Sequence, residues 1–206
     1  MKRNFIKLYR GFTLVELMIS VGIFAFMTAF LLAKYGKFDQ SLLLTNLAYD
    51  VALNIRTAQS YGISVKNADA ENTADNFNSS FGIYFNSSAV PTPYNNNKQF
   101  IFFADTCVNA IYDYVSSSGC VDVQIKPPLK IKRNSFIKST CAGSDVSTCL
   151  DLNPLSITFK RPDPNAIIKT QTSNITDYAY AEIVLQSSDG STKKVIIRKT
   201  GQIEVK

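Results

Sequence analysis

Residues 12–33 read FTLVELMISVGIFAFMTAFLLA and contain a single charged residue, Glu16. A helix of this length rises about 33 Å at roughly 1.5 Å per residue, which matches the hydrocarbon thickness of a bilayer. A helix buried inside a soluble protein is the alternative, but such a helix usually keeps a polar face, and this stretch has none. The sequence therefore predicts a membrane-spanning helix near the amino terminus.

Basic residues flank this apolar stretch unequally. Four precede it and two follow it, namely Lys2, Arg3, Lys7, Arg10, Lys34 and Lys37. Because the more positive flank stays in the cytoplasm, we expect the amino terminus inside the cell and the carboxy-terminal bulk across the membrane. Much of the net charge of +6 comes from this basic leader, residues 1–11. The overall charge therefore does not by itself indicate a polyanionic partner.

The carboxylate of Glu16 is costly at this depth. An ionised side chain inside a membrane helix costs about 2.5–3.5 kcal/mol unless it has a partner. Cleavage after Gly11 would create an α-amine on Phe12, and the Glu16 of a neighbouring subunit can pair with that amine. In the alternative interpretation, Glu16 lies near the lipid headgroups and is merely tolerated.

The residues around this acid resemble a known processing site. The string GFTLVEL over residues 11–17 is similar to the cleavage motif of type IV prepilins and type II secretion pseudopilins. The resemblance implies that prepilin peptidase cuts between Gly11 and Phe12, that Phe12 is then N-methylated, and that Glu16 guides docking into a filament. It also implies a single-pass protein of the cytoplasmic (inner) membrane that later enters a filament in the periplasm or at the cell surface.

Beyond the spanning segment, residues 37–64 become periodic. Apolar and small residues recur at three- and four-residue spacing, as one buried helix face requires. They are Leu44, Leu47, Val51, Ile55, Ala58 and Gly62. No proline occurs before Pro91, so one helix is predicted from about residue 14 to residue 63.

The end of this helix carries a second resemblance. Residues 47–62 are similar to the GspH/FimT group of minor pseudopilins and minor pilins. In that group an Arg-x-Ala-Gln-like helix end, here Arg56 to Gln59, precedes a β-rich globular domain. The resemblance therefore implies a β-rich domain in the rest of this chain.

The remaining residues, 65–206, support that expectation independently. Polar loops rich in Asn, Ser and Asp separate short runs of β-branched and aromatic residues, several of which alternate in polarity. The predicted strands cover residues 81–85, 100–104, 111–115, 121–125, 135–138, 155–160, 166–169, 179–186, 194–199 and 202–205. The predicted fold class is α+β, a long amino-terminal helix packed on an antiparallel, β-rich globular domain in a pilin-like arrangement.

Four cysteines, Cys107, Cys120, Cys141 and Cys149, lie in this domain. Their spacing matches no zinc or redox motif, and three disulfide pairings are possible. In an oxidising compartment the sequential pairing, Cys107 with Cys120 and Cys141 with Cys149, is the simplest, and each bridge would clamp a surface loop. Free buried thiols are the alternative.

Catalysis and cofactor binding have little support in the sequence. The chain has no histidine, which removes imidazole bases, histidine metal ligands and the usual activator of a cysteine nucleophile. Ser135–Lys138 and Lys199–Gly201 match the S-x-x-K and K-T-G elements of penicillin-recognising enzymes, but Ser135 stands in a predicted strand rather than at a helix start. Asp145 and Asp151 lack the spacing of a calcium loop and read as turn aspartates. We expect neither an enzyme nor a bound cofactor or metal.

Two clusters of basic residues raise the question of DNA binding. One holds Lys126, Lys130, Lys132, Arg133 and Lys138, and the other holds Lys193, Lys194, Arg198 and Lys199. Some FimT-like minor pilins bind DNA through a Gly-Arg-x-Arg tail, whereas the similar stretch here, residues 201–204, reads GQIE. Lysines on an exposed strand also protect a sheet edge from aggregation. A DNA contact through the second cluster is the alternative to solvated strand faces.

These features predict a structural subunit, a minor pilin or pseudopilin of a type IV pilus or a type II secretion pseudopilus. Its expected partners are prepilin peptidase, the cytoplasmic membrane and other pilin or pseudopilin subunits. The alternative is a FimT-like, DNA-binding minor pilin that serves DNA uptake. The predicted organisation is a cleaved leader (1–11), a filament-core helix (12–36), an amphipathic helix half (37–64) and a globular domain (65–206).

Overall fold

A computed structural model describes residues 11–68, 79–89, 96–114, 120–171 and 178–206. The chain divides into two units, one ending at Gln40 and one running from Ser41 to Lys206. One helix, α1 (Leu14–Ile63), contributes residues to both units. The single helix predicted over residues 14–63 is thereby confirmed.

The first unit is an apolar helical segment. Leu14–Leu32 form a stretch of 19 residues that is long and apolar enough to cross a bilayer, and none of it is buried within the protein. The side chains of Phe12, Phe24 and Phe26 are 73%, 73% and 76% exposed. Because such a surface is unfavourable in water, it requires lipid or other apolar helices around it.

In the second unit, α1 buries one face. Leu44, Ala48, Val51, Ile55 and Ala58 are each no more than 1% exposed. Their three- and four-residue spacing puts them on one side of the helix. They join a hydrophobic core that also contains residues of both β-sheets. This half of the helix is therefore held mainly by packing rather than by intrinsic helix propensity.

The described part of the chain contains eleven short strands and one short 3-10 helix, Val146–Thr148. The strands are β1 (Ser80–Phe85), β2 (Gln99–Asp105), β3 (Val123–Gln124), β4 (Leu129–Lys130), β5 (Phe136–Gly143), β6 (Leu150–Asp151), β7 (Leu155–Lys160), β8 (Asp163–Thr170), β9 (Tyr180–Gln186), β10 (Thr192–Arg198) and β11 (Ile203–Val205).

The strands form two antiparallel sheets. The first has the order β3-β2-β1-β7-β8, with β4 also paired to β2, and the second has the order β11-β10-β9-β5-β6. Strands β9 and β10 form a hairpin whose register runs from Thr192–Gln186 to Arg198–Tyr180. Its turn contains Gly190 at φ 87°, and a Cβ added there would meet nothing within 4 Å. The α+β class with a β-rich globular part is confirmed.

Strands β1 and β2 are buried on both faces. One face belongs to the core shared with α1. On the other face, Tyr84, Ile101 and Phe103 pack with Tyr112. Tyr112 comes from residues 106–114, which we call the covering segment, and its ring centre lies 5.1 Å from that of Tyr84. Covering both faces explains why these strands read as continuous rather than alternating apolar runs.

Two buried carboxylates fix the covering segment. Asp105 is 1% exposed and accepts hydrogen bonds from the backbone N–H groups of Asn109 (3.2 Å) and Ala110 (2.8 Å). Asp122 is 5% exposed and accepts N–H bonds from Thr106 (2.9 Å), Cys107 (3.2 Å) and Asp113 (2.9 Å). Burial raises the pKa of the Asp122 carboxyl to about 6 despite these donors.

Both disulfides join sequential cysteines. Cys107 is bonded to Cys120 and Cys141 to Cys149, with Cα–Cα distances of 5.7 and 5.5 Å. The first bridge anchors the start of the covering segment. The second closes the loop that contains the 3-10 helix. Loops of about this length gain roughly 2–3 kcal/mol from a bridge in the chain-entropy description.

The predicted strand at residues 111–115 is wrong over its described part, 111–114. The backbone N–H groups of Ile111, Tyr112 and Asp113 donate to side-chain oxygens of Asn109, Ser156 and Asp122 rather than to a neighbouring strand. The aromatic residues of this segment pack on one face of the first sheet and do not form one of its strands.

Other strand boundaries also differ from the predictions. The strand predicted at 135–138 begins one residue later and continues to Gly143, through a small and polar stretch that weakens the strand pattern. The strand predicted at 121–125 is reduced to two residues, Val123–Gln124. Strand β8 starts at Asp163 instead of residue 166.

Candidate processing and assembly site

The start of α1 is a capping box formed by Thr13 and Glu16. The backbone N–H of Glu16 donates to the Thr13 hydroxyl oxygen at 3.2 Å. In return, one carboxylate oxygen of Glu16 accepts the Thr13 hydroxyl at 3.1 Å and the Thr13 backbone N–H at 3.4 Å. Because Leu14 is the first helical residue, Thr13 is the N-cap and Glu16 the third helical position, the two positions of this motif.

The sequence interpretation assigned no role to Thr13. The T-x-x-E spacing at the start of an apolar run is itself the signal of a capping box, so the pattern was available in the sequence. The carboxylate of Glu16 also lies in the first turn of the helix, where the partial positive charge of the helix end favours an anion. The acid is thus partly stabilised within its own helix before any partner is present.

The bond predicted to be cut lies directly before this cap. Gly11 and Phe12 precede the helix, Phe12 is 73% exposed, and a Cβ added to Gly11 would meet nothing within 4 Å. The peptide between them is therefore accessible to an enzyme. The rest of the predicted leader, residues 1–10, lies outside the described residues.

An apolar groove begins at Gly22, six residues after Glu16. It is formed where Gly22 provides no side chain, and it is lined by Gly22, Ile23, Phe26, Met27, Phe30 and Leu31. Such a surface is suited to close packing of a second apolar helix, because a small residue lets two helices approach. The start of α1 therefore combines an accessible peptide bond, a carboxylate and an apolar packing face.

Near its other end, α1 is tied to strand β8 and to the turn between β10 and β11. The Gln59 side-chain amide donates to the carbonyl oxygens of Pro164 at 3.1 Å and Gly201 at 3.4 Å. Gly201 has φ 80°, and a Cβ there would lie 2.4 Å from Gln59 Nε2 and 2.6 Å from the Pro164 carbonyl oxygen. Only glycine satisfies both the backbone conformation and the close approach at this position.

The four basic residues considered for DNA contact are not brought onto one surface. Lys193 and Lys194 are consecutive in β10, so their side chains point to opposite faces of the sheet. Lys194 Nζ lies 2.9 Å from a carboxylate oxygen of Glu182, whose side chain is 11% exposed. Arg198 lies over the Tyr180 ring at 5.9 Å, and Lys199 follows the strand. Intramolecular partners therefore engage Lys194 and Arg198.

The Glu182 carboxylate has a second partner. The Tyr180 hydroxyl donates to it at 2.9 Å, and burial raises the pKa of Tyr180 to about 12. The carboxylate thus accepts one bond from a neutral hydroxyl and forms one ion pair with Lys194. This arrangement stabilises the outer face of the second sheet and leaves Lys194 with reduced attraction for an external phosphate.

The residues set aside for catalysis and for calcium have structural roles. Ser135 is 5% exposed and precedes strand β5 instead of opening a helix. Asp145 caps the 3-10 helix, where its carboxylate accepts the N–H of Val146 at 2.7 Å.

Among the described residues, one group has the residue types of a metal site, namely Cys107, Asp113 and Asp122. Cys107 is disulfide-bonded, and both oxygens of Asp122 already accept backbone N–H groups. These contacts give the group a structural role.

Residues 6–32 match the prokaryotic N-terminal methylation motif. Comparison with curated proteins and with solved structures gave no significant match to the chain. The motif, continued by the apolar helix, supports a type IV pilin-like or pseudopilin subunit that prepilin peptidase processes and that contacts other pilin subunits. It indicates a structural pilin-like protein, and it fits membrane anchoring followed by assembly into a pilus.

Proposed function

We propose that this chain is a minor pilin or pseudopilin of the GspH/FimT type, a non-enzymatic subunit of a type IV pilus or of a type II secretion pseudopilus. Prepilin peptidase cleaves the bond between Gly11 and Phe12, and Phe12 is then N-methylated. The subunit leaves the cytoplasmic membrane when its apolar helix packs among the helices of other subunits. Glu16 directs this docking by pairing with the α-amine of a neighbouring subunit.

One observation carries the proposal. Glu16 is the single charged residue in the apolar helix Leu14–Leu32, and it lies inside the matched methylation motif, one turn from the peptide to be cut. A carboxylate in hydrocarbon needs a cation, and cleavage creates one on Phe12 of each subunit. The motif, the charge and the accessible bond therefore all support cleavage before Phe12 and pairing of Glu16 with the new α-amine.

The GspH/FimT subtype draws its support from the tie between Gln59 and Gly201. Gln59 ends the Arg-x-Ala-Gln string, and Gly201 opens the stretch that is similar to the carboxy-terminal tail of the group. The two positions contact each other through the Gln59 side-chain amide. Because Gln59 and Gly201 contact each other, the helix-end string and the glycine of the carboxy-terminal stretch are expected to occur together.

The orientation in the membrane follows from charge. The basic leader stays in the cytoplasm, and the second unit, Ser41–Lys206, is exported. The two disulfides agree with folding of that unit in an oxidising compartment.

Mass spectrometry of protein extracted from membranes tests the processing step. In cells with active prepilin peptidase, we expect a mature chain that begins at Phe12 and carries one N-methyl group. Gly11→Leu should block cleavage without disturbing this chain, because a side chain at Gly11 meets nothing within 4 Å. Gly22→Ala is the matched control, since Gly22 is equally open and should leave cleavage intact. An intact Met1 in such cells contradicts the proposal.

A further inference from the structure

A groove with a basic rim lies between the second half of α1 and the segment that leads into β5. Its volume is about 320 Å³, and we call it the basic groove. It is lined by Leu43, Asn46, Leu47 and Asp50 from the helix and by Lys130, Lys132, Arg133 and Ser135 from the segment before β5. All of these residues belong to the second unit.

The lining of the basic groove selects a kind of ligand. The lining includes two leucines, three cationic side chains and one carboxylate. Among the described residues, neither Lys130 nor Lys132 has an ion-pair partner. The leucines and the Asp50 carboxylate are poorly matched to a phosphate chain, which needs closely spaced cations. They fit a peptide that presents aliphatic side chains next to carboxylates.

The same chain exposes a peptide of that kind. We give the name acidic knob to residues 144–151, which read SDVSTCLD and carry two carboxylates and no cation. Val146 is 57% and Leu150 is 61% exposed. The Cys141–Cys149 disulfide and the capping box of the 3-10 helix hold the knob in shape. A pre-formed loop loses little conformational entropy when it binds.

We propose that the acidic knob of one copy seats in the basic groove of a second copy. Val146 and Leu150 would then contact Leu43 and Leu47, while the knob carboxylates pair with Lys130 and Lys132. The inference rests on the proposed function, since it names the surface through which one pilin-like subunit contacts the next.

The position of the two surfaces requires a second copy. Strand β5, with eight residues, separates Ser135 of the groove from the knob, a distance of about 25 Å at roughly 3.3 Å per residue. A chain therefore cannot place its own knob in its own groove. Because the two complementary patches differ, each knob-in-groove contact is head-to-tail and does not pair one patch with itself.

Photo-crosslinking of the full chain in membranes tests the contact. Benzoylphenylalanine replaces Asn46, an exposed residue of the groove wall, in one tagged copy that is expressed with a second, differently tagged copy. We expect crosslinks between copies that mass spectrometry locates within residues 144–151. The same probe at Ser60, an exposed helix residue outside the groove, should not reach the knob.

Charge reversal tests the ion pairs. Lys132→Glu should lower the yield of this crosslink by about tenfold, and combining it with Asp151→Lys should restore the yield to within about twofold, as expected for a coupled charge pair. Lys138→Glu is the matched control, because Lys138 is exposed and lies outside the groove. Correct disulfide pairing, read by peptide mapping, verifies that each variant has folded.

Three results would overturn the contact: no crosslink from position 46, a crosslink to a different segment of the second copy, or a crosslink to another protein. Cleavage at Gly11 is measured in the same samples. Cleaved protein without the groove crosslink rejects this inference alone, whereas uncleaved protein in cells with active peptidase rejects the proposed function.

Discussion

At the level of a single side chain, the proposed function places two separate demands on Glu16. As the third residue of a capping box it must accept hydrogen bonds from Thr13, and an amide oxygen can do this as well as a carboxylate. In the proposed pairing with the α-amine of a neighbouring subunit, it must be negatively charged. The two demands can therefore be separated by substitution.

Glu16→Gln should abolish filament incorporation while membrane insertion continues. The variant keeps the cap but loses the charge, and an unpaired ammonium in hydrocarbon costs about 2.5–3.5 kcal/mol. We expect at least a tenfold loss, about 1.4 kcal/mol, in sheared filament fractions measured by immunoblot.

Thr13→Ala is the complementary control for Glu16. It removes the cap, at a cost of about 1 kcal/mol, but keeps the carboxylate, so much of the incorporation should survive. Equal losses in the two variants would show that the cap, and not the charge, is what assembly requires.

Gly201→Ala should destabilise the second unit strongly. The residue has φ 80°, and the new Cβ would meet Gln59 Nε2 at 2.4 Å and the Pro164 carbonyl oxygen at 2.6 Å. We expect a loss of about 3 kcal/mol or more in the free energy of unfolding, measured by thermal denaturation in detergent.

The matched control is Gly190→Ala. Gly190 has a similar φ of 87° but open space around it, so only the conformational cost of about 1–2 kcal/mol applies. A Gly201→Ala variant as stable as Gly190→Ala would show that the contact with α1 contributes nothing.

At the level of elements, the covering segment depends on the Asp122 carboxylate. Its pKa is raised from 3.8 to about 6, chiefly by burial. Between these two values the folded state binds the proton more tightly than the unfolded state. The contribution of this group to stability is therefore greatest below about pH 4, declines as the pH rises to about 6, and is level above that.

Asp122→Asn should remove this decline in stability between about pH 4 and pH 6. The difference in melting temperature between the wild-type protein and the variant should change between pH 4 and pH 7, and a carboxyl NMR titration of the wild type should show a midpoint near pH 6. Asp189→Asn, at an exposed turn where the Ser191 N–H lowers the pKa, should leave the decline in place. A midpoint below pH 4 for Asp122 contradicts this account.

The elements also show what the sequence can reveal. The bounds of α1 were predictable because an apolar run and a periodic apolar stripe follow one another with no proline between them. Residues 111–114 were misassigned because Tyr112 and its neighbours have the composition of a strand, while their backbone N–H groups donate to side chains and not to a neighbouring strand. Strands β4 and β6 contain two residues each, which is too short for any periodicity to appear.

The proposed processing and assembly residues could be named from a few neighbouring positions. The junction of the basic leader with the apolar run and the single acid in that run indicate Gly11, Phe12 and Glu16, and their roles in processing and assembly stay a prediction. The tie between Gln59 and Gly201 joins positions 142 residues apart, so local patterns cannot reveal it. The same holds for Lys194, whose pairing with Glu182 depends on the register of β9 and β10.

At the level of the whole molecule, the two units require different environments. The buried core begins at Leu44 and lies entirely in the second unit, whereas Leu14–Leu32 is unburied. The first unit needs an apolar environment, and the second has both its core and its disulfides within itself.

A fragment of residues 41–206 should therefore be soluble and folded when it is produced in an oxidising compartment. We expect both disulfides, a cooperative thermal transition and strand-dominated circular dichroism. A fragment that aggregates or melts without cooperativity would show that residues before Ser41 contribute to the fold.

The open turn between β9 and β10 has a practical use in microscopy. Ser188, Asp189 and Gly190 are exposed, and the space around Gly190 is empty. A fluorophore or a short epitope inserted there should leave the buried core of the second unit undisturbed. This site makes it possible to follow individual subunits in living cells from the membrane to the growing fibre.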